Sequence, residues 1–153
     1  MIPILVVVVL STIAQAATAA GGQNCRSVEG DFVAKAVQPP ACPADSLCTA
    51  GQLSGGLKGK YEFHITKPPV DAGTPAPATV KFFVGQSTVT LKNGDVIVGI
   101  DTGTIDMPPG AGGFASLITW TQGATGQIRL TGHFDAAAGT TSGEYEGTVC
   151  KPR

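Results

Sequence analysis

Ser87-Thr88-Val89-Thr90-Leu91-Lys92-Asn93-Gly94-Asp95-Val96-Ile97-Val98-Gly99-Ile100 sets an Asn-Gly pair between two runs rich in β-branched residues. Asn-Gly supplies the positive φ angles that a two-residue hairpin turn requires, so the flanking runs are expected to pair antiparallel. The same grammar extends outward. Tyr61, Phe63 and Ile65 alternate with Lys60, Glu62 and His64, and Ile128, Leu130 and Phe134 alternate with Arg129, Thr131, His133 and Asp135. Period two is the signature of half-buried strands, and no stretch sustains a helical period.

Eight candidate strands follow: Asp31–Val37, Leu57–Thr66, Thr79–Val84, Ser87–Leu91, Val96–Ile105, Gly113–Thr121, Gly126–Asp135 and Thr141–Cys150. Two irregular stretches separate some of them. Val37–Cys48 carries Pro39, Pro40 and Pro43, and Lys67–Ala78 carries Pro68, Pro69, Pro75 and Pro77. The second is expected to be an extended, exposed connection, or a flap over a cavity mouth. Short connections and glycines within strands (Gly99, Gly103, Gly132, Gly143, Gly147) favour a closed barrel over a sandwich. The expected fold is all-β, a single antiparallel eight-stranded barrel over residues 25–150, supported by disulfides.

The chain has 153 residues, with 10 Lys+Arg against 11 Asp+Glu, and only 14% of residues are charged. That balance offers no cationic stripe for nucleic acid. Ile2 to Ile13 is an uncharged apolar run followed by Ala14-Gln15-Ala16 and Ala17-Thr18-Ala19. The pattern is that of a signal peptide over residues 1–19, and it is too short for a membrane span. A secreted or periplasmic protein is expected. Cys25, Cys42, Cys48 and Cys150 all follow that segment, an even count that suits an exported chain. Of the three possible pairings, Cys42–Cys48 would close a short loop and Cys25–Cys150 would tie the two ends. No Cys-x-x-Cys pair occurs, and neither histidine is near a cysteine, so no metal site or cofactor is expected.

Ser116-Leu117-Ile118-Thr119-Trp120-Thr121-Gln122-Gly123-Ala124-Thr125-Gly126-Gln127-Ile128-Arg129-Leu130 resembles the later strands of the allene oxide cyclase and dirigent barrel superfamily. The resemblance spans roughly residues 80–150, and its ending also resembles those of small exported bacterial barrels. It implies an eight-stranded barrel, calycin-like or allene oxide cyclase-like, with a central apolar cavity. The cyclases carry a catalytic glutamate on their amino-terminal strands. Val28-Glu29-Gly30-Asp31-Phe32-Val33 does not match that pattern, so Glu29 is a positional candidate only.

Val98-Gly99-Ile100-Asp101-Thr102-Gly103-Thr104 resembles the aspartic protease signature. That chemistry needs two aspartates sharing a proton, and one Asp-Thr-Gly would demand a homodimer. The plainer reading ends a strand at Asp101, which caps its own backbone in an Asx-type turn. His64 lies two residues from Glu62, and His133 two residues from Asp135, but on alternating strands these faces ordinarily meet solvent. No Gly-x-Ser-x-Gly elbow and no complete phosphate loop occur. Trp120 is expected in the core or, with Phe63 and Phe134, against an apolar ligand.

Two functions are therefore expected in order. The first is non-catalytic binding of a small apolar ligand or a surface partner. The second is a cyclase- or isomerase-like enzyme that shapes a flexible apolar substrate in the barrel. The second requires an inward carboxylate near an open cavity, with Glu29, Glu62 and Glu144 as candidates, and Asp101 stands apart as the candidate of a dimeric protease.

Overall fold

The computed structural model describes residues 23–44 and 46–151. The expected signal peptide lies outside them. Eight strands, β1 (Asn24–Val37), β2 (Cys48–Leu53), β3 (Gly59–Asp71), β4 (Val80–Leu91), β5 (Val96–Asp106), β6 (Ala111–Gln122), β7 (Thr125–Asp135) and β8 (Thr140–Lys151), form one closed antiparallel barrel in sequential order. The last strand pairs with the first from Asn24–Lys151 to Lys35–Thr140, which closes the barrel.

Several details differ from the sequence reading. Thr79–Val84 and Ser87–Leu91 are one strand, β4, because Gly85-Gln86 continues the pairing with β5 unbroken. Cys48–Leu53 is a strand the sequence did not announce. Its Thr-Ala-Gly-Gln centre is weak in β-propensity, and pairing to both β1 and β3 holds it extended. Leu57 opens no strand; it ends a 3-10 turn, Gly55–Leu57. The Asn93-Gly94 hairpin forms, but Gly94 alone takes a positive φ, 88°. The Gly94 amide donates to Leu91 O and the Leu91 amide to Asp95 O, which makes a three-residue loop with a left-handed third residue. β3 also runs farther than expected, through Pro68 and Pro69 to Asp71, with register irregularities after Ile65 and Lys67. The prolines bend the strand's pairing and leave it exposed.

Both expected disulfides form, Cys25–Cys150 and Cys42–Cys48. The first joins directly opposed residues of β1 and β8 and so fastens the closing seam. Two disulfides mark an oxidising compartment. Among the described residues, no helix is long and apolar enough to cross a membrane.

The interior is divided along its axis. At the end bearing the Asn93-Gly94 loop, Val28, Leu53, Val89, Ile97, Ile118, Trp120, Ile128 and Val149 pack into a solid core. Leu57, fully buried, plugs this end. The Leu57 amide donates to the Tyr145 hydroxyl at 2.7 Å, and that hydroxyl donates to Ser54 O at 2.6 Å, which locks the plug to β8. Gly99 makes room for the largest member. A Cβ there would come within 2.5 Å of Ile118 Cγ2 and 2.9 Å of Trp120 Cε3.

Two outcomes follow for stability. Replacing Cys25 and Cys150 by serine should cost about 5 kcal/mol, and replacing Cys42 and Cys48 about 2 kcal/mol, because the first bond closes much the longer loop; urea denaturation of each pair variant measures this. Gly99→Ala should cost about 1–3 kcal/mol by overpacking, read from the Trp120 fluorescence transition.

Candidate functional site

At the opposite end the barrel is open. A cavity of about 690 Å³ descends between the strands, within the range of small-molecule sites. Leu47, Pro68, Pro69 and Met107 form its exposed rim, and Phe32, Tyr61, Phe63, Phe83, Phe114 and Phe134 line its wall. Alternation explains the set: along each strand these residues occupy inward positions, so consecutive Phe82 and Phe83 divide, with Phe83 inside and Phe82 48% exposed. The rings meet in pairs, Phe32 with Tyr61 and Phe114 at 6.1 and 5.8 Å, Phe63 with Phe83 edge-on at 5.7 Å. Gly85 leaves the space that the Phe63 ring enters, since a Cβ there would lie 2.3 Å from Cε2.

The floor is polar. Four neighbouring strands each turn one polar side chain inward: Tyr61 on β3, Ser87 on β4, Asp101 on β5 and Ser116 on β6. Ser87 Oγ donates to Asp101 Oδ2 at 2.8 Å. That fixes the direction of the next link, so the Tyr61 hydroxyl, 3.2 Å away, donates to Ser87 Oγ. Asp101 is 2% exposed, and its Oδ1 has no hydrogen-bond partner. Ser116 Oγ is likewise buried and unpartnered. Burial pushes the Asp101 carboxyl above its ordinary value, and the Ser87 and Ser116 hydroxyls beside it offset part of that rise. Burial also raises the Tyr61 phenol, and the Asp101 charge adds to it.

Asp101 therefore does not end its strand. β5 continues to Asp106, and pairing of Asp101 with Gly85 and Ile118 on its two sides holds the backbone extended, which leaves no turn for its carboxylate to cap. Its side chain lies inside one barrel, with no outer face on which a second copy could set another aspartate beside it. The inward carboxylate that an enzyme would need is thus Asp101 and not Glu29, Glu62 or Glu144. Glu62 is exposed on β3. Glu29 and Glu144 lie outside, around a groove with Asp31, Arg129 and Glu146. His64 and His133 sit on outward positions of β3 and β7.

Phe63 and Phe134 line the cavity. Trp120 is 3% exposed in the closed half, with Ile118 between it and Ser116 along β6. Ser87, Ser116 and Tyr61 were not singled out in the sequence. Their signal is positional: counting by twos from Val89 and Ile97, which oppose each other across the hairpin, reaches Ser87 and Asp101 on the same inner face. Among the described residues, no cluster of three or more His, Cys, Asp or Glu is placed to hold a metal ion.

The raised Asp101 pKa carries a stability consequence with a definite sign. The unfolded chain loses this proton near 3.8, whereas the fold retains it to higher pH, so the native state binds more protons between those values. Stability falls as pH rises through that window and levels off above the folded pKa. Asp101→Asn should remove a slope of about 1.4 kcal/mol per pH unit within the window and be more stable than the wild type at pH 8. Urea denaturation of both proteins from pH 4 to pH 8 gives the difference directly.

Comparison with family models, with curated proteins and with solved structures yields no match to this chain.

Proposed function

We propose that the protein is an exported binder of small apolar molecules, held in the open half of the barrel. The observation that carries the reading is the asymmetry of the interior. One half is packed by aliphatic side chains and Trp120, while the other keeps a cavity of about 690 Å³ walled by aromatic rings. Disulfides, the apolar run Ile2 to Ile13 and the small-residue sites that follow it agree with export to the periplasm or medium. The expected kinship of residues 80–150 with allene oxide cyclase and dirigent barrels points the same way, toward an apolar cavity.

A second reading is favoured by one observation, the carboxyl of Asp101 in the cavity floor. An acid poised above its ordinary pKa can give a proton to a bound apolar substrate and take one back, which is the requirement of a cyclase or isomerase. In that reading Asp101 is the acid–base group, and Tyr61 and Ser87 hold it in place.

The binding reading is tested with Nile red, a neutral apolar dye. It should bind once per chain, saturably, and at least tenfold more weakly in Thr49→Trp, where a bulky ring enters from the half-buried cavity wall. Binding that does not saturate, or that is unchanged in a folded Thr49→Trp variant, would place the dye elsewhere and remove the reading.

A further inference from the structure

Among the described residues, the ionisable groups on the cavity lining are all acids, Asp101, Asp135 and the Tyr61 phenol. Asp101 lies on the floor and Asp135 at the exposed rim, and among the described residues the lining holds no lysine, arginine or histidine. Facing Asp101 from the adjoining strands are Tyr61, Ser87 and Ser116, all neutral. Six aromatic rings surround the space above it. Burying a carboxylate without a countercharge is costly, and a cation entering a low-dielectric site repays that cost more fully than a neutral molecule can. Aromatic faces add to the attraction of a cation.

We infer that the cavity selects amphipathic ammonium ligands, a protonated amine on an apolar tail, with the ammonium against Asp101 and Ser116 and the tail among the phenylalanines. The inference rests on the cavity being the binding site and adds the chemistry of its ligand. The hydrogen-bond count discriminates between classes of head group. Asp101 Oδ2 already accepts from Ser87, which leaves Asp101 Oδ1 and Ser116 Oγ as two acceptors in want of donors. An ammonium brings three donors and can satisfy both. An alcohol brings one, and a carboxylate brings none and is repelled. Binding an ammonium also requires Asp101 to release its proton, so affinity rises with pH as long as the amine stays charged.

The test is calorimetric titration of the disulfide-bonded protein with three molecules of equal tail, 1-octylamine, 1-octanol and octanoate. At pH 7.5 octylammonium should bind at least tenfold tighter than octanol, and octanoate weakest. Octylammonium affinity should rise from pH 5 to pH 8. In Asp101→Asn the preference for octylammonium over octanol should vanish and its pH dependence flatten. Octanol binding as tightly as octylammonium overturns the inference and leaves the binding reading standing. A preference for octylammonium that survives in Asp101→Asn also overturns it, because the cation is then drawn by the outer carboxylates Glu29, Asp31, Glu144 and Glu146. Failure of all three to bind removes the inference and the cavity reading together.

Discussion

Hydrogen bonding of β8 back onto β1 fixes the width of the barrel, and the interior is organised within that width. Closure pairs the two terminal strands with each other, and the Cys25–Cys150 bond holds the seam at its outer end. An eight-stranded barrel is just wide enough for side chains to fill or for one small ligand to enter. Each inward position is therefore a choice between filling the bore and leaving it open. β2 is the shortest strand of the wall, pairing with β1 only from Phe32 to Val37. Below it the Gly55–Leu57 turn lies against Val28 and Glu29, so the gap in the wall is used to seat the plug.

The two halves make opposite choices with similar residues. In the closed half, bulk is balanced by glycine across strands, as where Trp120 and Ile118 occupy the space beside Gly99. Branched aliphatic residues from β4, β5, β6 and β7 then meet near the axis. In the open half the rings also use glycine, Phe63 beside Gly85 and Phe32 beside Gly132 and Gly143. Here the glycines let the rings settle toward the wall, and the axis above the floor stays clear. The same device thus packs one end and hollows the other, depending on whether aliphatic side chains follow.

Much of this was legible from residues alone. Alternation around Tyr61–Ile65 and Ile128–Phe134, the Asn93-Gly94 turn and the even cysteine count yield an eight-stranded barrel with its two disulfides. The strand inventory was less secure. β2 has little apolar content to announce it, and Gly85 looked like a break because a glycine between two apolar runs reads as a turn when its partner ring, Phe63, is not in view. The site was harder. Asp-Thr-Gly at Asp101 suggests a turn on composition, and only the continuation of pairing to Asp106 overrules it. Glu29, Glu62 and Glu144 are candidate inward carboxylates by sequence, yet each occupies an outward, exposed position within its strand, where its charge stays solvated. Small polar residues such as Ser87 and Ser116 carry no local signal, and they acquire a role only from what faces them across the bore.

The placement of the polar quartet is the clearest departure from an interior built for stability. One inward position toward the closed end, the same strands present Val89, Gly99 and Ile118, all apolar and buried. An apolar residue at 101 would fill the floor without the desolvation of a carboxylate, and replacing buried charge by well-packed apolar groups is commonly neutral or stabilising. The chain instead sets a carboxyl there and holds Oδ2 through Ser87 and Tyr61, while Oδ1 and Ser116 Oγ go unpaired. The quartet lies at the boundary between the two halves. Below it the packed core fixes the backbone of β4, β5 and β6, so the polar atoms stand on a rigid base; above it rises the aromatic wall of the open cavity. Rigidity beneath, low dielectric around and unsatisfied acceptors on top are the conditions under which a single buried carboxyl discriminates most strongly between ligands of similar shape.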